Sequence, residues 1–161
     1  MRGRGERGFS LVEVAIALGL LAGVLIAISG LFVVGAKQVK SGRTSSEGLA
    51  VAKEIHEEML AWGYSQIWTA FGYDGQAASY TVDSRTNAAC SVWQSTLQSK
   101  LGPSAFATIQ LASVADADGA LLNFADGSGN ILSKNLRISV TVSWTEVPSR
   151  PRSVTVGTTR N

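Results

Sequence analysis

The sequence predicts an α+β protein, with one long N-terminal helix, apolar along its first half, followed by a small antiparallel sheet. Three patterns predict it. From Val14 to Ala36 there are 23 residues without a charge. From Ser45 to Trp62, the residues Leu49, Ala52, Ile55, Met59 and Trp62 recur at three- and four-residue steps, the period of one helical face. From Leu136 to Thr145, Leu136, Ile138, Val140, Val142 and Trp144 alternate with Arg137, Ser139, Thr141, Ser143 and Thr145. Period two with β-branched residues marks a half-buried strand.

The apolar run comes first in the chain and sets the compartment. A helix rises about 1.5 Å per residue, so the run spans a hydrocarbon core about 30 Å thick. Ahead of it, Arg2, Arg4 and Arg7 stand against Glu6 and account for the whole net charge of +2. Arginines on that flank predict a cytoplasmic N-terminus. The rest of the chain is neutral, which leaves no basic face for nucleic acid. Arg137, Arg150, Arg152 and Arg160 are interleaved with strand residues and read as a solvated sheet face. A secretory signal peptide is shorter and ends at a small-residue cleavage site. Ala27-Ile28-Ser29 imitates that site loosely, but the apolar run continues through Leu31, Phe32, Val33 and Val34. Glu13 also sits at the head of the run, where a carboxylate costs a few kcal/mol at membrane depth unless it finds a partner.

Beyond Lys37 about 100 residues remain to build a core, enough for a small sheet with a helix on it. The first proline after the leader is Pro103, so the apolar run and the Ser45–Trp62 stretch are compatible with one long helix. Its weak points are Gly30, Gly35 and Ser41-Gly42, and Gly63 is the expected stop. Tyr64, Trp68, Phe71, Tyr73 and Tyr80 make residues 64–80 an aromatic loop that covers the core. Val92, Trp93, Leu97 and Leu101 predict a short amphipathic helix ending at Gly102-Pro103. Ala105 to Leu111 is expected as a strand. Pro148-Ser149-Arg150-Pro151 makes the turn after the 136–145 strand, and Arg152 to Thr159 returns antiparallel.

The sequence offers little to a catalytic reading. Cys90 is the only cysteine, so no intrachain disulfide holds the fold. His56, the only histidine, stands among Glu54, Glu57 and Glu58 and reads as a solvated helix position. A Cys90–His56 dyad would need a proximity that sequence does not supply. Asp116-Ala117-Asp118-Gly119 and Asp126-Gly127-Ser128-Gly129-Asn130 look like calcium loops, but calcium needs six or more oxygens and the twelve-residue pattern is missing. Turns between strands account for them better; Asp116, Asp118 and Asp126 stand as the residues a cation would use. No phosphate loop, metal triad or serine nucleophile motif occurs, and no cofactor is expected.

The segment Gly8-Phe9-Ser10-Leu11-Val12-Glu13-Val14 resembles the processing site of type IV prepilins and type II secretion pseudopilins. A short basic leader, glycine, phenylalanine, a small polar residue, two aliphatics and glutamate are followed at once by a spanning helix. The resemblance implies that a prepilin peptidase cuts between Gly8 and Phe9 and methylates the new amino group on Phe9. It also implies that Glu13 neutralises the N-terminal amine of a neighbouring subunit. Residues 1–8 are then the leader, 9–36 the transmembrane and assembly helix, 37–63 its periplasmic half, and 64–161 a type IV pilin-like head. The order of elements in the second half looks like that of PilV-type minor pilins: a Trp-containing helix, a Leu-Gly-Pro break, a strand, a Val-Ser-Trp strand and a final Val-Thr-Val strand. Residues 64–90 resemble nothing recognised, and the cysteine pair of many major pilins is absent. The implied function is a minor pilin that primes or caps a filament, not an enzyme. Its partners would be other pilins, the peptidase and an inner-membrane assembly platform. A GspI-like type II secretion pseudopilin is the first alternative. A single-span envelope protein with a ligand-binding periplasmic domain is an alternative of another class.

Overall fold

A computed structural model describes residues 10–114, 122–133, 135–146 and 149–160. Helix α1 covers Leu11–Ala61, so the two helical stretches read from the sequence are one element. Gly30, Gly35 and Gly42 do not interrupt it; each costs about 1 kcal/mol relative to alanine, and no proline intervenes. There follow α2 (Gln66–Thr69), β1 (Ser79–Asp83), a short 3-10 turn (Ala88–Cys90), α3 (Ser91–Leu101), β2 (Phe106–Ser113), β3 (Leu136–Glu146) and β4 (Arg150–Arg160). The chain divides into two compact units, Met1–Ser41 and Gly42–Asn161. In the first, the described residues from Leu11 onward are all helical.

The second unit is the 42–61 part of α1 laid on a four-stranded antiparallel sheet of order β1-β2-β3-β4. The period-two reading of β3 holds along its whole length, with Leu136, Ile138, Val140, Val142 and Trp144 buried. They face Val51, Ala52, Ile55 and Met59 of the helix in one core with Trp93, Leu97 and Leu101 of α3. The helical face is shifted from the one expected. Gly48, Val51 and His56 belong to it, while Leu49 is 37% exposed and Trp62 lies past the last helical residue. Likewise Val92 of α3 is 71% exposed, and the buried side of that helix is Trp93, Leu97 and Leu101.

The reason for the shift is at Gly48. A Cβ there would come within 2.8 Å of the Trp144 indole, so the helix backbone and the ring lie in direct contact. That approach orients the helix against β3. At one end, Thr44 donates to Glu146 at 2.9 Å. At the other, the Arg160 guanidinium donates to the carbonyls of Trp62 at 2.7 Å and Leu60 at 3.4 Å. Arg160 sits opposite Leu136, so α1 runs antiparallel to β3 and parallel to β4. The lengths agree, since a helix from Thr44 to Trp62 rises about 27 Å and a strand from Leu136 to Glu146 about 33 Å.

Arg160 therefore does more than occupy a solvated sheet face. The last turn of α1 holds no basic residue, and this guanidinium from β4 supplies the cation that the open carbonyls favour. Arg152 pairs with Glu146 at 3.4 Å. On the other side, Ser84 donates to Gln94 and accepts from the Ala107 amide, while Gln94 donates to the Ala105 carbonyl. These bonds tie α3 to β1 and β2. Helix α3 ends at Gly102, whose φ of +100° is glycine territory and whose amide reaches the Gln98 carbonyl at 3.0 Å.

The aromatic segment after α1 does cover the core. Ile67, Trp68 and Phe71 are buried, Trp68 stacks on Phe124 at 5.4 Å, and Tyr73 stacks on Tyr80 at 4.1 Å. It also contains what periodicity did not announce, namely α2 and the start of β1. Strand β1 is only five residues long and has one buried residue, Val82.

Gly48→Ala tests the helix–sheet contact. Alanine gains helix propensity of about 1 kcal/mol, but the Trp144 ring is 3% exposed and has nowhere to go. The clash is expected to win, with a net loss of about 1–2 kcal/mol. Denaturant melts of the detergent-solubilised chain measure it, and an unchanged midpoint would remove Gly48 from its assigned role.

Candidate functional site

The candidate site is the N-terminal end of α1. Gly8 and Phe9 lie outside the described residues. Ser10 precedes the helix and its carbonyl accepts from the Val14 amide at 3.1 Å. Glu13 falls in the first turn and is exposed. The helix dipole favours a carboxylate there. In the sequence it stands four residues after Phe9.

Below Glu13 the helix surface is apolar all round. A shallow groove on it is lined by Glu13, Val14, Ala17, Leu18 and Leu21. The large side chains from Leu11 to Val34 are 43% to 86% exposed. The helix is long and apolar enough to cross a membrane, with none of its most apolar window buried. Spacing in the sequence marks one further feature: Ala15, Gly19, Gly23 and Ala27 stand at four-residue steps, on one face. Nothing lies within 4 Å of where a Cβ would stand on Gly19 or Gly23. Such a small-residue row lets another helix come close.

The other sequence candidates are not brought to this site. Asp116 and Asp118 lie outside the described residues. Asp126 closes its own turn, accepting from the Ser128 amide at 2.9 Å, the Asn130 amide at 2.8 Å and the Asn130 side chain at 2.8 Å. Those bonds, the Asn130 side chain first, hold its carboxyl below the usual range. Among the described residues no three Asp, Glu, His or Cys side chains gather as a metal site.

His56 is not solvated as expected; it is 7% exposed, on the face of α1 that meets the sheet. The glutamates around it concealed this, because Glu58 turns to Trp93, accepting from its indole N–H at 2.7 Å. Among the described residues the His56 Nε2 has no hydrogen-bond partner. Burial lowers its pKa, and the Glu57 charge opposes this only in part. Cys90 is buried, and burial pushes its thiol up to about 11, so it is held as a thiol rather than a nucleophilic thiolate.

No family model, curated protein or solved structure matches the chain.

A pH dependence follows from His56. Its pKa is lowered in the folded chain, so the unfolded chain binds the extra proton first as pH falls through about 6.5. Stability is complete above that value and declines as pH drops toward the folded pKa. The carboxylates of Asp83 and Asp126, held low by Arg85 and Asn130, act only at more acidic pH. Denaturation midpoints between pH 7.5 and about 5 are expected to fall in the native chain and to stay flatter in His56→Gln. Equal slopes in both would assign the effect elsewhere.

Proposed function

We propose that this chain is a minor subunit of a type IV pilus-like filament, made as a precursor and anchored by α1 in a bacterial inner membrane. Glu13 is the observation that carries the reading. It is a lone carboxylate in the first turn of a helix whose following 23 residues are uncharged. A general membrane anchor gains nothing from such a residue. A helix that must register against its neighbours does. The Gly8-Phe9 junction ahead of it, the basic leader and the α1-on-sheet architecture all agree with the resemblance.

The mechanism runs from the leader inward. Arg2, Arg4 and Arg7 hold the N-terminus on the cytoplasmic side, with the 64–161 head in the periplasm. Gly8 has no side chain, so a peptidase can approach its carbonyl closely. Cleavage there leaves Phe9 with a free amino group, which is then methylated. In the growing filament Glu13 accepts the N-terminal ammonium of a neighbour, and each charge answers the other's desolvation. The helix then leaves lipid for a core of other helices, where the Ala15, Gly19, Gly23 and Ala27 row permits close approach. The chain itself is a substrate of the peptidase and other subunits are its partners. Absence of the cysteine pair found in many major pilins, with the order of the late strands, favours a minor subunit over a major one.

Co-expression with a prepilin peptidase is expected to remove Met1–Gly8, read as the intact mass. An unshortened chain would sink the reading. With cleavage established, Glu13→Ala should still be cut, while its share of sheared filaments falls about tenfold or more. Removing one partner of a buried pair costs roughly 3–5 kcal/mol. Normal incorporation on an immunoblot would take the assembly role away from Glu13.

A further inference from the structure

We infer that the outer edge of β4 is a strand-acceptor site, which takes an extended segment of a partner subunit into the sheet.

The phase of the ladder settles which groups are free. Ser84 donates to Ala107, Ser113 to Ala78, and Val114 to Asn135. In an antiparallel pair the bonded residues alternate along each strand. Thus Ala107, Ile109, Leu111 and Ser113 bond to β1, and Phe106, Thr108, Gln110 and Ala112 bond to β3. The same alternation turns Leu136, Ile138, Val140, Val142, Trp144 and Glu146 toward β4. Their partners are Arg160, Thr158, Val156, Val154, Arg152 and Arg150. Pro151, Ser153, Thr155, Gly157 and Thr159 therefore aim their backbone groups outward. The one proline in β4 falls on an outward position, the only kind it can occupy without losing a ladder bond.

Three further observations point to an occupant. The outward residues from Ser153 to Thr159 are uncharged and exposed, whereas edges that must stay unpaired are usually guarded by charge. On the helix side of the same strand, Val154 and Val156 are only partly buried, while Val140 and Val142 beside them are fully covered. The apolar row is thus unfinished at this edge. Finally, the ends are bounded, by Pro151 and the Arg152–Glu146 pair at one end and by Arg160 on the α1 carbonyls at the other. The opposite edge lacks these features. Strand β1 has five residues, and the Asp83 carbonyl already accepts from Thr86 and Asn87.

The segment that fits is about seven residues long, with small polar side chains on the solvent face and apolar ones beside Val154 and Val156. A second copy pairing through its own β4 fits less well. Antiparallel self-pairing over the length of β4 would set Arg150 or Arg152 across from the second copy's Arg160, and like charges directly opposite oppose pairing. That the segment belongs to another subunit rests on the filament reading; the free edge does not.

Amide hydrogen exchange on the unprocessed chain in detergent, with the synthetic peptide SVTVTVS as probe, tests the site independently of filament assembly. Without peptide, Ser153, Thr155, Gly157 and Thr159 should exchange about a hundredfold faster than Val154, Val156 and Thr158. Saturating peptide should slow those four amides by about tenfold. Thr155→Pro removes one outward N–H and spares every backbone bond to β3, while Thr155→Lys adds a guarding charge and leaves the backbone alone; both give up the 2.9 Å hydroxyl pair with Thr141, so Thr155→Val, which loses only that pair, is the reference. Both should abolish the protection that Thr155→Val retains, with thermal midpoints equal to that of Thr155→Val. The site is overturned by outward amides that are slow without peptide, by a peptide that leaves them unchanged, or by equal protection in both variants. Protection that grows with protein concentration alone would replace the foreign strand with a second copy.

Discussion

The contact between Gly48 and Trp144 governs how the second unit is built. Because nothing stands between the helix backbone and the indole, α1 settles close to β3 at one point and is pinned at both ends, by Thr44 on Glu146 and by Arg160 on the carbonyls of Leu60 and Trp62. With the helix direction fixed, the register of β3 decides which side chains are covered. Slipping β3 by one residue would turn five apolar side chains outward and bring Arg137, Ser139, Thr141 and Ser143 inward. The close approach also explains His56. A helix held at that depth buries its whole inner face, including a residue whose neighbours in sequence are charged.

The parts that were legible in the sequence share a property: each is a long run with one dominant period. The helix from Leu11 to Ala61 and the β3–β4 pair were read nearly to their ends. What was not legible depends on contacts between distant segments. Strand β1 has one buried residue in five and no alternation strong enough to announce it; it exists because β2 offers it a partner. Leu49 and Trp62 fit the helical period as well as Val51 does, and only the tryptophan on β3 shows that Gly48 is the centre of the face. The burial of His56 is hidden from the sequence for the same reason. Charge in the sequence around it described the helix as a whole and not the side that meets the sheet.

At the candidate site the division differs. Gly8 and Phe9 rest on the motif alone. Glu13 rests on the motif and on its place in the first turn of α1. The Ala15, Gly19, Gly23 and Ala27 row could have been found by spacing, but within a run where nearly every residue is apolar, small size stands out less than charge does.

From Val14 onward the amides of α1 bond within the helical ladder, so this backbone makes the same internal demand in lipid as among other helices. In the filament reading, transfer from one to the other therefore turns on side chains. Lipid tails are as apolar as leucine, so burying Leu18, Leu25 or Phe32 against a neighbour yields little transfer free energy. The terms that remain are close packing and the carboxylate. Packing is improved where glycine and alanine let backbones approach. The carboxylate is costly near hydrocarbon and becomes favourable only beside an ammonium. An anchor built this way is nearly indifferent along most of its length and selective at its first turn. In the filament reading, a head that folds on its own core leaves the choice of neighbour to Glu13 and the small-residue row, and leaves the sheet edge free for a different partner.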